Sequence, residues 1–133
     1  MVAFSFSSED FVVPILSGRK NQTTRPISTA RLKQLKKENP VGLQLYYQQR
    51  SKDGFKISDA LKTDLLIIKL KPEGPYIVDD NCILPFPEDK AADLARRDGF
   101  SSYKEMFNWF VRHYGQEKTT GNLWMVVRWE VTK

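Results

Sequence analysis

The residues from Leu123 to Val131 alternate, with Leu123, Met125, Val127, Trp129 and Val131 on one side and Trp124, Val126, Arg128 and Glu130 on the other. That is the period of a β-strand. Ala3 to Phe6 reads as a short strand at the other end of the chain. Strands at both ends with helical patterns between them predict an α+β domain built around a small twisted sheet or barrel. A chain of 133 residues, 41% hydrophobic and 28% charged, fits residues 1–133 as a single domain. Its 8 Phe, 5 Tyr and 3 Trp suffice for one core.

Between the ends, the punctuation is legible. Ser7 or Ser8 offers an N-cap with Glu9 and Asp10 in the first turn, Pro14 predicts a kinked or broken helix, and Gly18 is the expected stop. Gly18 to Pro26 carries no apolar side chain between its ends and reads as a polar loop with no core to fill. Ser28 or Thr29 caps a basic helix to about Lys37, with Leu32 and Leu35 as a thin apolar stripe. Leu43, Leu45 and Tyr47 alternate with Gln44, Tyr46 and Gln48 as a half-buried strand, and Asp53-Gly54 marks a turn. Phe55 to Ile57 returns, Asp64 to Leu70 reads as an inner strand, and residues 72–89, with four of the seven prolines, read mostly as loop. A helix from Glu88 to Arg97 precedes a second that starts at Ser102-Tyr103-Lys104-Glu105, the capping-box spacing. Its stripe Tyr103, Met106, Phe107, Phe110, Val111 and Tyr114 reads as core, and Gly115 stops it.

Several chemistries are excluded at this level. One cysteine, Cys82, and one histidine, His113, cannot supply a zinc-finger ligand set, so no metal site is expected. No two of the seven glycines lie two apart, which excludes G-x-G-x-x-G, and no P-loop is present; no cofactor is expected. His113, in the last turn of its helix, reads as structural. The first ten residues lack a basic stretch leading into an apolar one, and the longest apolar runs, such as Leu65 to Ile68, are far too short to span a bilayer. The expectation is a protein neither secreted nor membrane-embedded, in a reducing cytoplasmic setting.

Charge is polarised along the chain. The net charge is +5, but Arg19 to Lys62 holds eleven basic and three acidic residues, and the remainder is net acidic. Such a segment, kept on one side of the fold, attracts phosphate or nucleic acid; the alternative is a merely solvated basic helix and loop.

The loop Ile15-Leu16-Ser17-Gly18-Arg19-Lys20-Asn21-Gln22-Thr23-Thr24-Arg25 resembles the G-x-K-x-x-T-x-R signature of the ASCH family, small domains of the PUA-like superfamily. Leu43 to Tyr47, Ala95 to Met106 and Trp124 to Trp129 resemble the family's later segments in the same order. The resemblance implies a PUA-like small β-barrel with flanking helices and a cleft beside Lys20. It also implies one of three behaviours: RNA binding, amidohydrolysis of N4-acetylcytidine, or ribonuclease activity. Carried over by position, the amidohydrolase pattern places Lys20 as base, Thr23 as nucleophile and Asp98 as the acidic residue. Asn21 stands where the family's enzymes have threonine, and Asp98 stands where they have glutamate, one methylene longer.

The chemistry of these residue types is coherent. A threonine hydroxyl needs a base, and a lysine serves only when neutral; burial and nearby Arg19 or Arg25 would lower its pKa, and Asp98 would oppose that. A carboxylate there can protonate a leaving amine or position the base. As a binding module, Arg19, Lys20 and Arg25 would hold phosphates, with Thr24 and Thr23 hydrogen-bonding them. Lys33 and Lys36 would add affinity, and Tyr46 or Tyr47 would stack on a base. The expected partner is RNA or a modified nucleoside, with no membrane partner. A third possibility is a protein-interaction module that uses exposed aromatics such as Trp124.

Overall fold

The computed structural model describes residues 2–37 and 41–132. It is a mixed α+β fold with one seven-stranded sheet. Strand β1 (Val2–Phe6) leads through a 3-10 turn (Glu9–Phe11) into α1 (Val12–Ser17). β2 (Gln22–Pro26), α2 (Thr29–Leu35), β3 (Gly42–Tyr47) and the 17-residue β4 (Phe55–Lys71) follow. β5 (Gly74–Asp79), β6 (Cys82–Pro85), α3 (Glu88–Arg97), α4 (Tyr103–Tyr114), α5 (Gln116–Gly121) and β7 (Trp124–Val131) complete the order.

β1 runs parallel to β3, and every other pairing is antiparallel: β3 with β4, β4 with β5 and β7, β5 with β6, and β7 with β2. β4 therefore has three partners along its length, with a register shift between Lys62 and Asp64 where β7 is joined. The expected β-barrel is not closed by strand pairing among the described residues, because β1, β2 and β6 each have a single partner.

Two cores lie on either side of this sheet. Phe4, Phe6, Ile15, Leu35, Leu43 and Leu45 pack with Met125, Val127 and Trp129 in the first. Leu94, Met106 and Phe110 pack with Ile68, Leu70, Trp124 and Val126 in the second. The alternation read from β7 is thus real, and both of its faces are buried, one in each core. Trp124, read as a candidate exposed aromatic, is fully buried, with its indole N–H donating to the Thr119 carbonyl at 3.0 Å.

Three other expectations change. The stretch Gly18 to Pro26 is not wholly loop: its second half is β2, and Gln22, Thr23 and Thr24 are buried. Polar side chains can line an interior when their hydrogen bonds are met inside it, and no apolar pattern then announces the strand. Residues 74–85 form a hairpin despite Pro75 and Pro85, because Pro85 closes the edge strand β6 and Pro75 stands at the start of β5, places where a missing N–H is tolerated. Phe55–Ile57 and Asp64–Leu70 are parts of one long strand. The caps hold as read: Ser8, Ser28 and Ser102 accept from Asp10, Arg31 and Glu105 N–H groups, and Gly18 ends α1 with φ 81°. Pro14 is accommodated because α1 is only six residues long and follows a separate 3-10 turn.

Trp124→Ala should cost about 3–5 kcal/mol and Ser102→Ala about 1 kcal/mol, read as shifts in the urea midpoint at constant slope. Equal small losses for both would contradict the placement of Trp124 in the second core.

Candidate functional site

A small cleft lies where β2, the end of α3 and the end of α4 meet the aromatic side chains that follow β1. Lys20, Thr23, Thr24, Arg25, Asp98, Phe6, Phe11, Trp109, His113 and Tyr114 line it, with Ser5, Ser7, Phe100 and Phe110. Its enclosed volume is about 80 Å³. That is room for a few water molecules, or for one polar edge of a planar ring, and not for a whole nucleoside.

Lys20 is 2% exposed. Its ammonium donates to the backbone carbonyls of Gln22 (2.9 Å) and Asp98 (2.5 Å) and sits 4.6 Å from the centre of the Phe11 ring and 5.4 Å from that of Phe6. Gly99 lies beside the Lys20 side chain. Its φ is +102°, and a Cβ there would lie 3.4 Å from Lys20 Cδ and from Phe11. That is ordinary contact, so it is the turn, through its positive φ, that requires glycine here. Burial pushes the Lys20 ammonium down to about 8; the Asp98 charge raises it and the Arg25 charge lowers it further. The directions read from the sequence hold for burial, Arg25 and Asp98, whereas Arg19 plays no part.

Asp98 is 4% exposed and forms the C-cap of α3. A carboxylate at the negative end of a helix dipole is in an unfavourable place, and what offsets it is a set of donors from β2. Oδ1 accepts from Gln22 Nε2 (3.1 Å) and Thr24 Oγ1 (3.2 Å); Gln22 and Thr24 share a face because side chains two apart in a strand do. Among the described residues no donor is found on Oδ2, and Asp98 lines the cleft. Thr23 and Arg25 form the corresponding pair on the other face. Arg25 Nε donates to Thr23 Oγ1 at 2.9 Å, and Arg25 Nη2 donates to the Ser5 carbonyl at 2.7 Å. Arg25 stacks near Phe6 and Phe4, and burial lowers its pKa from the ordinary arginine value.

The structure thus brings Lys20, Thr23, Thr24, Arg25 and Asp98 together and leaves five other candidates elsewhere. Arg19 is exposed beside Pro14, Arg96 and Phe100. Lys33 and Lys36 line a groove of α2 with Leu32 and Lys37. Tyr47 packs on Phe55, with ring centres 5.4 Å apart, and Tyr46 hydrogen-bonds Gln44. None of these lines the cleft.

Sequence reasoning missed the aromatic wall. Trp109 and His113, four apart on α4, stack at 4.6 Å and 11°, so His113 is a wall of the cleft and not only a helix-end residue. Tyr114 also lines the cleft and packs on Trp124. The i, i+4 spacing of Trp109 and His113 was the available signal. Gln22, fully buried, is the other omission: its amide donates to Asp98 Oδ1 and to the Leu94 carbonyl (3.0 Å), and its Oε1 accepts from Arg128 Nε (2.9 Å).

The lowered Lys20 pKa has a signed consequence. The unfolded chain keeps this proton up to the ordinary value of 10.5 and the folded one only to about 8, so folding opposes the charged form at neutral pH. That cost is present in full below about 8 and fades as pH rises towards 10.5. Wild type should therefore gain about 2 kcal/mol on Lys20→Met between about pH 7 and about pH 10, measured by urea unfolding. A difference that does not change with pH would contradict the burial of the charge.

No family model matches the chain, and no curated protein does. Among solved structures, the chain is similar to the crystal structure of an ASCH domain from Lactobacillus crispatus JV V101, with 15% identity and a TM-score of 0.49, over 98% of this chain and 78% of that one.

Proposed function

We propose that the chain is a PUA-like domain of ASCH type whose Lys20 cleft takes the polar edge of a single nucleoside base, with a modified cytidine as the ligand class that the loop resemblance implies. The observation that carries this reading is the convergence of a buried amine, a half-buried guanidinium, two hydroxyls and the Asp98 side chain on one small volume walled by stacked rings. Donors and an acceptor at fixed places, with apolar rings beside them, are what base-edge recognition needs. The barrel belongs to this reading, as the architecture of which the seven-stranded sheet is the curved wall. A single nucleoside is favoured over a length of RNA because Arg19, Lys33, Lys36 and Tyr47, the groups that would track a backbone, lie away from the cleft.

One observation favours a second reading, hydrolysis of the acetyl amide of N4-acetylcytidine. An ammonium lowered to about 8 leaves a usable neutral fraction of Lys20 near neutral pH, as a general base requires. Against it, Thr23 Oγ1 is hydrogen-bonded to Arg25 and not to Lys20. A substrate would have to bring amine and hydroxyl together, with Asp98 meeting the leaving amine.

The test is N4-acetylcytidine with purified protein, followed by tryptophan fluorescence for binding and by chromatography for cytidine release. Binding should be saturable, nearly independent of salt, and about tenfold or more weaker in Lys20→Ala or Asp98→Asn. Release of cytidine that vanishes in Thr23→Ala, with binding retained, would select the hydrolase. Affinity for an RNA oligomer that falls steeply with salt and is lost in Lys33→Gln/Lys36→Gln, with no nucleoside binding, would overturn both readings.

A further inference from the structure

We propose that the cavity between the β4–β5–β7 face of the sheet and α3 is a second ligand site, which takes a small anion bearing an apolar body with its charged group held between Arg97 and Arg128. The cavity holds about 310 Å³, several times the Lys20 cleft. Its floor and one wall are apolar, from Leu66, Ile77, Pro85, Phe86 and Pro87. Its polar side carries three cations, Lys90, Arg97 and Arg128, against one carboxylate, Asp93. That carboxylate is already bonded, by Arg97 Nε at 2.8 Å and by Arg96, which leaves the cavity with excess positive charge.

The two guanidiniums are positioned by bonds that use only part of each. Arg97 is anchored through Nε to Asp93, and among the described residues its terminal nitrogens have no hydrogen-bond partner. Arg128 is anchored through Nε to the buried Gln22 amide at 2.9 Å, and its Nη1 lies 3.8 Å from Asp64, too long for a hydrogen bond. After burial, the Arg97 charge is the next cause holding Arg128 below the ordinary arginine value, so the two heads repel across the space that they line. A carboxylate or phosphate between them would relieve that repulsion and take up the free forks, the geometry arginine favours. The apolar walls then require a ligand with a ring or acyl body and not a bare inorganic ion. The site is separate from the Lys20 cleft, with which it shares no lining residue.

The experiment is titration of the folded protein with benzoate, with phenyl phosphate and with benzyl alcohol as the neutral analogue. Calorimetry reads the affinity, and proton–nitrogen spectra resolve the arginine Nε–H signals. The expected result is saturable binding of at least one anion, with Kd on the order of 1 mM. Shifts should fall at the Arg97 and Arg128 side chains and the Ile77 backbone, with no binding of benzyl alcohol. Arg97→Gln should weaken binding about tenfold and Lys20→Met should leave it unchanged. The anion that binds more tightly identifies the head group as carboxylate or phosphate. Should Arg97→Gln not fold, Lys90→Gln together with the location of the wild-type shifts decides. Absence of saturation for both anions, equal binding of benzyl alcohol, or loss in Lys20→Met with retention in Arg97→Gln would each overturn the proposal.

Discussion

The burial of Lys20 and Asp98, with Arg25 half-buried beside them, is the constraint on which the rest of the site depends. Charges taken out of water are expensive unless each is met inside the protein, and here each is met differently. Lys20 is held by two carbonyls and two aromatic faces, Arg25 by a carbonyl, a hydroxyl and two aromatic faces, and Asp98 by an amide and a hydroxyl. The fold is arranged around that requirement. β1 supplies Phe4 and Phe6, β2 supplies the polar donors, and the Asp98-Gly99 turn brings the end of α3 against them. These groups fill space that an ordinary core would give to apolar side chains, and they do so where local rules are broken: a carboxylate at a helix C-terminus, a buried lysine, a strand with no apolar pattern. Such departures concentrate at functional sites.

The two cores explain how this arrangement is kept in place. β7 lies between them, with Met125, Val127 and Trp129 in one and Trp124 and Val126 in the other, and β2 pairs with it in unbroken antiparallel register from Gln22 to Pro26. The polar face of β2 is thereby fixed by a strand that can hardly move. Gln22 extends this order sideways, because its amide is bonded on one side to Asp98 and on the other to Arg128. Its oxygen and nitrogen have assigned places, which makes it a brace between the Lys20 cleft and the groove beside α3.

How much of this was legible depended on whether the signal was local. Helix caps at Ser8, Ser28 and Ser102, the stop at Gly18 and the alternation of β3 and β7 are written in neighbouring residues, and the sequence reading found them. Lys20 and Thr23 were singled out through the resemblance of the loop and Asp98 through that of the Ala95–Met106 segment, not through periodicity. β2 was hidden because its buried residues are polar, the β5–β6 hairpin because prolines at the ends of its strands look like loop, and the length of β4 because its two ends serve different partners. Trp109 was not singled out and His113 read as a helix-end residue, since only the tertiary fold shows that α4 ends at the cleft. Arg19, Lys33, Lys36 and Tyr47 share the basic segment in sequence but not the site in space. Proximity along the chain was the wrong measure for them.

The account stands on a charged amine buried in the cleft, and the direct measurement is the titration of Lys20 itself, followed by the carbon-13 shift of its Cε in selectively labelled protein. The midpoint should fall at about 8, and it should move lower still in Asp98→Asn, because the carboxylate is what raises it. A midpoint at the ordinary value of 10.5, indifferent to Asp98, would mean that Lys20 stands in water and that the cleft described here does not exist in solution.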